Sequence, residues 1–477
     1  MSLGRASSSR DAGARDLAFS LALLFVALVP RLYVAIAWSK EPVWDGHYYH
    51  FGAERIASGL GYSEDVWSGG RLLWKPWVHY PVGYSALLAV AYVVAGPSLL
   101  VAPVLNALFG AGLALLAHRV ARHYLSETRA RVAGGLVALH PGLIAYSALV
   151  MTEVVAAALL FAAGLAVLAA RDGRRRWLLV AGVLLGLGAL VRPTSLFALP
   201  LVVWMLPGSL GRRALGAATV GALALLTILP WTLRNCQRLD GCALISTNGG
   251  WNLAIGAVTE TGRFQALRAA DGCAVVSGQV QQDRCWAGVG RQKILADPVR
   301  FVALVPKKLG ETFNHESFAI EYLHEADPVS WTEPRRVAGR ELLTSFHRWL
   351  LVAAAFGVVA VPRSPGKDGL GFAVQGVLLL AALVLALHAL TDDQHRFQWL
   401  ALFIAAVGVL PLPGRPELGP AGAFSVGLVL VVVLTHALFF GEDRYHLVVS
   451  PALCLLAAGA FRRPFNPRAA DPAAALP

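Results

Sequence analysis

The stretch VWDGHYYHFGAERIASGLGY (43–62) decides how this 477-residue chain is read, because of what precedes it. It follows the first long apolar run, 17–38, and sets an aspartate, two histidines, two adjacent tyrosines and an Arg/Glu pair at that run's end. The chain as a whole is 56% hydrophobic and only 15% charged, with mean hydropathy +0.58. A soluble domain carries about a quarter charged residues, so this composition belongs in lipid. Long apolar runs recur from Leu17 to Phe461, and a bilayer-spanning helix needs roughly 20 such residues. The fold class is therefore an all-α polytopic membrane protein.

The formal charge of +12 does not point to nucleic acid, because the basic residues are confined to short segments between apolar runs. These are RASSSR (5–10), HRVARHYLSETRAR (118–131), RDGRRR (171–176), GRR (211–213) and RRPFNPR (462–468). Lys and Arg in short loops mark the cytoplasmic side. With no cleavage motif behind it, the first run reads as an uncleaved helix.

Spans are expected at 17–38, 98–117, 132–150, 153–170, 177–191, 194–207, 213–231, 346–362, 370–390, 397–412, 420–440 and 447–461. That makes twelve with both termini inside, or thirteen if the short run 83–97, read as interfacial, also crosses. The chain then divides into an N-terminal module (1–231) with a first outer loop at 39–82, an outer region (232–344), and C-terminal helices (345–477). In the last part, LHALTDDQHRFQWL (387–400) echoes THALFFGEDRYHLV (435–448), as a duplicated hairpin would.

Four of the five cysteines, Cys236, Cys242, Cys273 and Cys285, fall in the outer region, which suggests an oxidising compartment and two disulfides. Local pairing, 236 with 242 and 273 with 285, is the simplest of three connectivities; four separate thiols is the alternative. This placement agrees independently with the side assigned from the basic loops.

Polar groups at a membrane boundary are costly and so are functional candidates. Asp45 follows Trp44, an interfacial anchor type, and precedes an amphipathic helix at 47–58. It is either a base held at headgroup level or an ordinary helix N-cap. Glu153 in LVMTEVV holds an acceptor or a metal, or caps the next helix. Arg192 in VRPTS suits an anionic phosphate, or merely ends a helix before Pro193. Arg444, Tyr445 and His446 in EDRYHLVVSP, with Arg234 in LPWTLRN, form a basic and aromatic rim for a phosphate and a sugar, or separate interfacial anchors. Tyr48 and His50 are further candidates for substrate contact. His79 in WVHYPVGY is a further candidate metal ligand, with His47, His50 or His315 as partners, although no metal-binding spacing accompanies it. There is no P-loop, no G-x-G-x-x-G after a strand and no G-x-S-x-G.

The order of these motifs resembles the GT-C membrane glycosyltransferases. DGHYYHFGAERIASGLGY, YPVGY, TE at a helix start, RPT, PWTLRN, STNGGWNLAIG and RYHLVVSP follow in sequence over nearly the whole chain. The likeness is to bacterial relatives of protein O-mannosyltransferases and of the aminoarabinose transferases that modify lipid A. It implies a GT-C fold with a first outer loop of amphipathic helices. It implies transfer, with inversion, of a sugar from a polyprenyl phosphate outside the cytoplasmic membrane. The acceptor would be a hydroxyl on a lipid, glycan or protein. Asp45 matches the family's catalytic aspartate and Glu153 its second acidic position. Arg192, Arg234 and Arg444 match positions facing the lipid phosphate, while His79 stands where an acidic residue is expected. A divalent metal is the one cofactor in view. The competing classes are a transporter or flippase, which predicts ionisable residues within broken helices, and a polysaccharide polymerase or ligase, with its catalytic loop late in the chain.

Overall fold

The computed structural model describes residues 3–274, 278–359, 369–391, 397–409 and 419–459. Among them, seven helices are long and apolar enough to cross a membrane: Gly13–Ala37, Val101–Ala121, Glu153–Arg171, Leu210–Arg238, Glu333–Val359, Ala373–Thr391 and Gly419–Leu438. Val82–Ala95, Trp177–Val191, Pro193–Met205 and Tyr445–Ala458 are shorter apolar helices. Hydrocarbon offers the backbone no hydrogen-bond partners, so the spanning segments close their own ladders as helices. The result is an all-α polytopic membrane fold. The basic cluster at 462–468, the ends of the expected helices 346–362 and 397–412, and the acidic segment at 392–396 lie outside the described residues.

Charged residues gather at the two ends of the helices. At one end Asp16 pairs with Arg119 (3.2 Å) and Arg122 (2.9 Å), and Arg122 reaches Glu127 at 3.1 Å. Arg171, at the foot of its helix, donates to the Met205 carbonyl at 3.0 Å. Segment 118–131 is thus tied to the first helix, and Arg171 to the end of the helix that precedes 211–213. Helix Trp177–Val191 packs on both Glu153–Arg171 and Leu210–Arg238, which brings the start of one hairpin arm and the end of the other, Glu153 and Arg192, together at the opposite end.

Three expectations are corrected. The span expected at 132–150 is broken: Glu127–Ala138 stops, and a short helix restarts at Pro141–Ala145. Proline removes a donor and clashes with the preceding turn. The carbonyls of Val137 and Ala138 are instead met by buried Arg31 of the first helix, at 2.8 and 2.6 Å. Next, the first outer loop is not all helical. After Asp45–Ala57 it forms an antiparallel hairpin, Ser63–Ser68 with Arg71–Pro76. Gly69 and Gly70 take φ of 59° and 76°, the left-handed pair that a two-residue hairpin turn needs. Arg55 fastens helix to hairpin through Asp65 (2.8 Å) and Ser63 (2.9 Å). Finally, the boundaries at 232 and 344 fall within helices, since Leu210–Arg238 and Glu333–Val359 continue beyond their apolar stretches.

The intervening region carries two disulfides, Cys236–Cys242 and Cys273–Cys285. Asp283, on helix Gln279–Ala296, accepts from the Gly250 amide at 2.7 Å, seating helix Gly249–Val258 beside the site described next.

Candidate active site

The site is built around Asp45. Trp44 takes a positive φ of 50°, the only non-glycine among the described residues to do so, and this turns the chain into its helix. Its ring packs against Phe318 and Tyr322, with centroids at 5.3 and 5.8 Å. Asp45 is consequently the first helical residue and not the cap; the cap position is held by Trp44, with no side-chain capping bond. The Asp45 carboxylate is engaged elsewhere: Oδ1 accepts from the Tyr80 hydroxyl at 2.7 Å and Oδ2 from Arg444 Nη1 at 2.6 Å. Gly46 permits this approach, because a Cβ there would lie 2.2 Å from the Tyr322 hydroxyl and 2.9 Å from the Val150 carbonyl.

Arg444 lies between the helix Gly419–Leu438 and the 3-10 turn Tyr445–Val449. Its Nε is 2.5 Å from Glu442 Oε2, and its Nη2 donates to the Tyr445 hydroxyl at 3.2 Å. The guanidinium also lies over the rings of Phe318 and Tyr445, at 4.9 and 5.0 Å. One guanidinium therefore balances two carboxylates. A second pair stands beside it: Arg192 Nη1 meets Glu153 Oε1 at 2.7 Å and Thr152 Oγ1 at 3.2 Å. Glu153 is fully buried, and its Oε2 has no partner. Tyr445 joins the pairs, with Arg192 at 5.4 Å from its ring and His436 stacked on it at 4.2 Å.

Both pairs face a cavity of about 700 Å³. Its charged wall carries Asp45, Glu153, Arg192 and Arg444; Trp251, Phe264, Phe439 and Phe440 supply apolar and aromatic surface, and Ser246, Asn248 and Asn252 supply small polar groups. Burial pushes the Asp45 carboxyl upward, but the Arg444 charge and the hydrogen bonds from Tyr80 and Arg444 outweigh it, leaving Asp45 below its usual range. Burial holds His79 below the usual histidine range against the opposing pull of Asp45, so its imidazole is neutral at pH 7. Such a wall can accept a proton, bind an anion through two guanidinium groups and stack a ring.

The sequence candidates separate clearly here. Asp45, His79, Glu153, Arg192, Arg444 and Tyr445 line the cavity. Arg234 does not, and its assignment to the phosphate rim is corrected. It donates to the carbonyls of Tyr62 (2.5 Å) and Trp77 (3.4 Å), and so fastens the hairpin to the extended helix Leu210–Arg238. Tyr48 is likewise no lining residue; it stacks on Trp77 at 5.5 Å and is largely exposed. His50 is buried against the Tyr92 hydroxyl (2.6 Å) and Glu54. Among the described residues, no His/Cys/Asp/Glu group able to hold a metal includes His79, His47, His50 or His315. Asp45 and Glu153 are already neutralised by guanidinium groups. Sequence reasoning missed Tyr80 and Glu442, although both sit inside quoted motifs. The signal for Glu442 was its place two residues before an arginine that must be balanced if buried.

Residues 79–233 match the family model described as dolichyl-phosphate-mannose-protein mannosyltransferase. The matched region contains His79, Tyr80, Glu153 and Arg192 but neither Asp45 nor Arg444. No curated protein matches the chain. Among solved structures, the chain is similar to the Archaeoglobus fulgidus oligosaccharyltransferase in its apo form, at 15% identity and TM-score 0.41, covering 92% of this chain and 50% of the other. It thus spans about half the length of that relative. It is also similar to ArnT from Cupriavidus metallidurans bound to undecaprenyl phosphate, at 15% identity and TM-score 0.35, covering 94% of this chain and 78% of the other. Likenesses this loose carry no weight alone. The family match is confined to residues 79–233, and it agrees with the resemblance to GT-C membrane glycosyltransferases read from the sequence.

Proposed function

We propose that the chain is an inverting glycosyltransferase that moves a sugar from a polyprenyl phosphate to an acceptor hydroxyl at the outer face of the bacterial cytoplasmic membrane. The observation that carries this reading is the cavity wall on which Asp45, Arg444, Arg192 and Tyr445 stand together. A polyprenyl phosphate is already a good leaving group, so the needs are a carboxylate base and fixed cations for the charge that develops on the phosphate.

Asp45 takes the acceptor hydroxyl proton as that oxygen attacks the anomeric carbon from the face opposite the phosphate. The bond from the anomeric carbon to the phosphate oxygen breaks, and its electron pair leaves with the polyprenyl phosphate, which Arg192 and Arg444 receive. Inversion follows from the single displacement.

Without substrate, Asp45 is a weak base, because Arg444 holds its proton affinity down. A phosphate competing for Arg444 weakens the 2.6 Å ion pair and returns basicity to Asp45. Base activation is thus coupled to occupation of the donor site. Trp251, Phe264 and Phe440 offer surface for the sugar and the first prenyl units. The acceptor belongs to one of three classes, lipid, glycan or protein, all presenting a hydroxyl.

The test is turnover of a labelled polyprenyl-phosphate sugar by Asp45→Asn in detergent or nanodiscs. The amide keeps the size and an acceptor for Tyr80 but cannot take a proton. Loss of transfer with normal monodispersity is expected; near-normal transfer overturns the reading.

A further inference from the structure

Glu316, His347 and His446 form a buried cluster outside the cavity. Glu316 follows the helix Val305–Phe313, His347 lies on Glu333–Val359 and His446 on the 3-10 turn Tyr445–Val449. Their exposures are 2%, 0% and 0%. One ligand-capable atom from each lies within 4.8 Å of the others.

The hydrogen-bond pattern fixes what each atom can do. His347 Nε2 lies 3.0 Å from the Phe313 carbonyl, and His446 Nδ1 lies 2.6 Å from the Thr312 carbonyl. A carbonyl only accepts, so those two nitrogens carry the protons. In the neutral form of each ring the other nitrogen carries a lone pair, and both of these nitrogens face the same carboxylate. His446 Nε2 is 3.3 Å and His347 Nδ1 is 3.9 Å from Glu316 Oε2. Three electron-rich atoms converge in a dry interior. A proton shared between His446 and Glu316 satisfies one of these contacts and leaves His347 Nδ1 without a partner, as it stands here. Glu316 Oε1 is also buried and unpartnered.

We infer that Glu316, His347 and His446 hold a zinc ion that fastens the outer loop to the start of the last helix. The donor set of two imidazoles and a carboxylate suits zinc, at about 2.0–2.2 Å from each ligand atom. Ligands on a tetrahedral ion then lie about 3.4 Å apart, close to the 3.3 Å between His446 and Glu316. The second Glu316 oxygen packs against Gly142. Each histidine already donates its other N–H to a backbone carbonyl, the arrangement that orients metal-bound imidazoles. Thr344, one turn before His347, bonds both the amide and the carbonyl of Glu316, at 3.3 and 3.2 Å. The other group with metal-compatible spacing, Asp16, His118 and Glu127, differs in kind, since Asp16 is already paired with two arginines.

The ion would be structural, and the inference does not depend on the transfer chemistry. The test is metal content by elemental mass spectrometry on the full chain, purified without a metal-affinity step and exposed to Zn²⁺ before desalting. About one zinc per chain is expected, falling to roughly a tenth or less in His347→Gln and Glu316→Gln, and unchanged in His140→Gln. His140 is a fair control, a buried neighbour whose Nδ1 is already used as a helix cap. Loading wild type with Co²⁺ gives a readout that needs no variant, namely visible bands of a tetrahedral site. Wild type that binds neither Zn²⁺ nor Co²⁺, or a His347→Gln variant that keeps the wild-type zinc content, overturns the inference.

Discussion

The five residues 442–446 feed two buried polar clusters that solve opposite problems. On one side Arg444 sits between the carboxylates of Asp45 and Glu442, a fixed positive charge among fixed negative ones. On the other, His446 turns Nε2 toward Glu316 at 3.3 Å, and His347 turns Nδ1 toward the same oxygen. Between them Asp443 accepts from the Ser317 and Phe318 amides and from the Ser317 hydroxyl. The guanidinium cluster is complete without a ligand yet can exchange partners, as a site that binds and releases a phosphate must. The histidine cluster is closed to solvent, and its three side chains stand on separate elements that a shared ligand would fasten together.

Substitutions separate the two, and the largest effect belongs to the base. Asp45→Asn should lower transfer by at least about 10²–10⁴, the usual worth of a positioned general base, with a smaller loss of stability than Arg444→Gln, because Arg444 keeps Glu442 as a partner. Initial rates beside a thermal melt check this.

Arg444→Gln should be costly in both stability and activity. It leaves the part-buried carboxylates of Asp45 and Glu442 without their cation, at a cost below the about 3–5 kcal/mol of a fully buried pair. It also removes the main influence that lowers the Asp45 pKa and leaves burial, which raises it. In the wild type, the stability that Asp45 contributes is present above its unfolded value and is lost only as pH falls through its lower folded value. In Arg444→Gln the acid limb should move to higher pH. A pH series of melting temperatures and of kcat/KM checks the sign; an unchanged limb contradicts the pairing.

The pair Glu153–Arg192 should behave as a unit. Arg192→Gln leaves fully buried Glu153 unpaired, at about 3 kcal/mol or more, and adding Glu153→Gln should recover part of that loss. A double-mutant cycle by denaturant melts measures the coupling, and strict additivity contradicts it. Gly46→Ala should lower kcat/KM with a smaller effect on stability, because its Cβ displaces Tyr322 and the start of the helix that carries Asp45. Tyr48→Phe should change stability by no more than about 0.5 kcal/mol, with unchanged transfer, since Tyr48 is exposed and is not among the residues lining the cavity.

Much of this arrangement was legible in sequence because membrane burial writes long signals. Apolar runs marked the helices, basic loops marked one end, and the cavity's polar residues stood out against lipid-soluble neighbours. What stayed hidden depended on pairing across distance. Arg234 and Arg444 follow motifs of similar look, yet one is committed to the carbonyls of Tyr62 and Trp77 and the other to Asp45, 399 positions away. Only packing distinguishes them. The hairpin at 63–76 was missed because helices were expected throughout that loop from the resemblance and not from its own Gly69–Gly70 turn, and the break before Pro141 because apolar composition continues across it.

Buried Arg31 has a consequence for how the chain is made. Two of its three carbonyl partners, Val137 and Ala138, are synthesised more than a hundred residues later, the latter 107 positions on. At about 5–20 residues per second, the first helix waits on the order of 5–20 s for them. An arginine at mid-bilayer costs about 2.5–3.5 kcal/mol on insertion scales. The first helix is therefore expected to stay beside the insertion machinery until the segment ending at Ala138 emerges. Arg31 makes assembly order a property of the sequence.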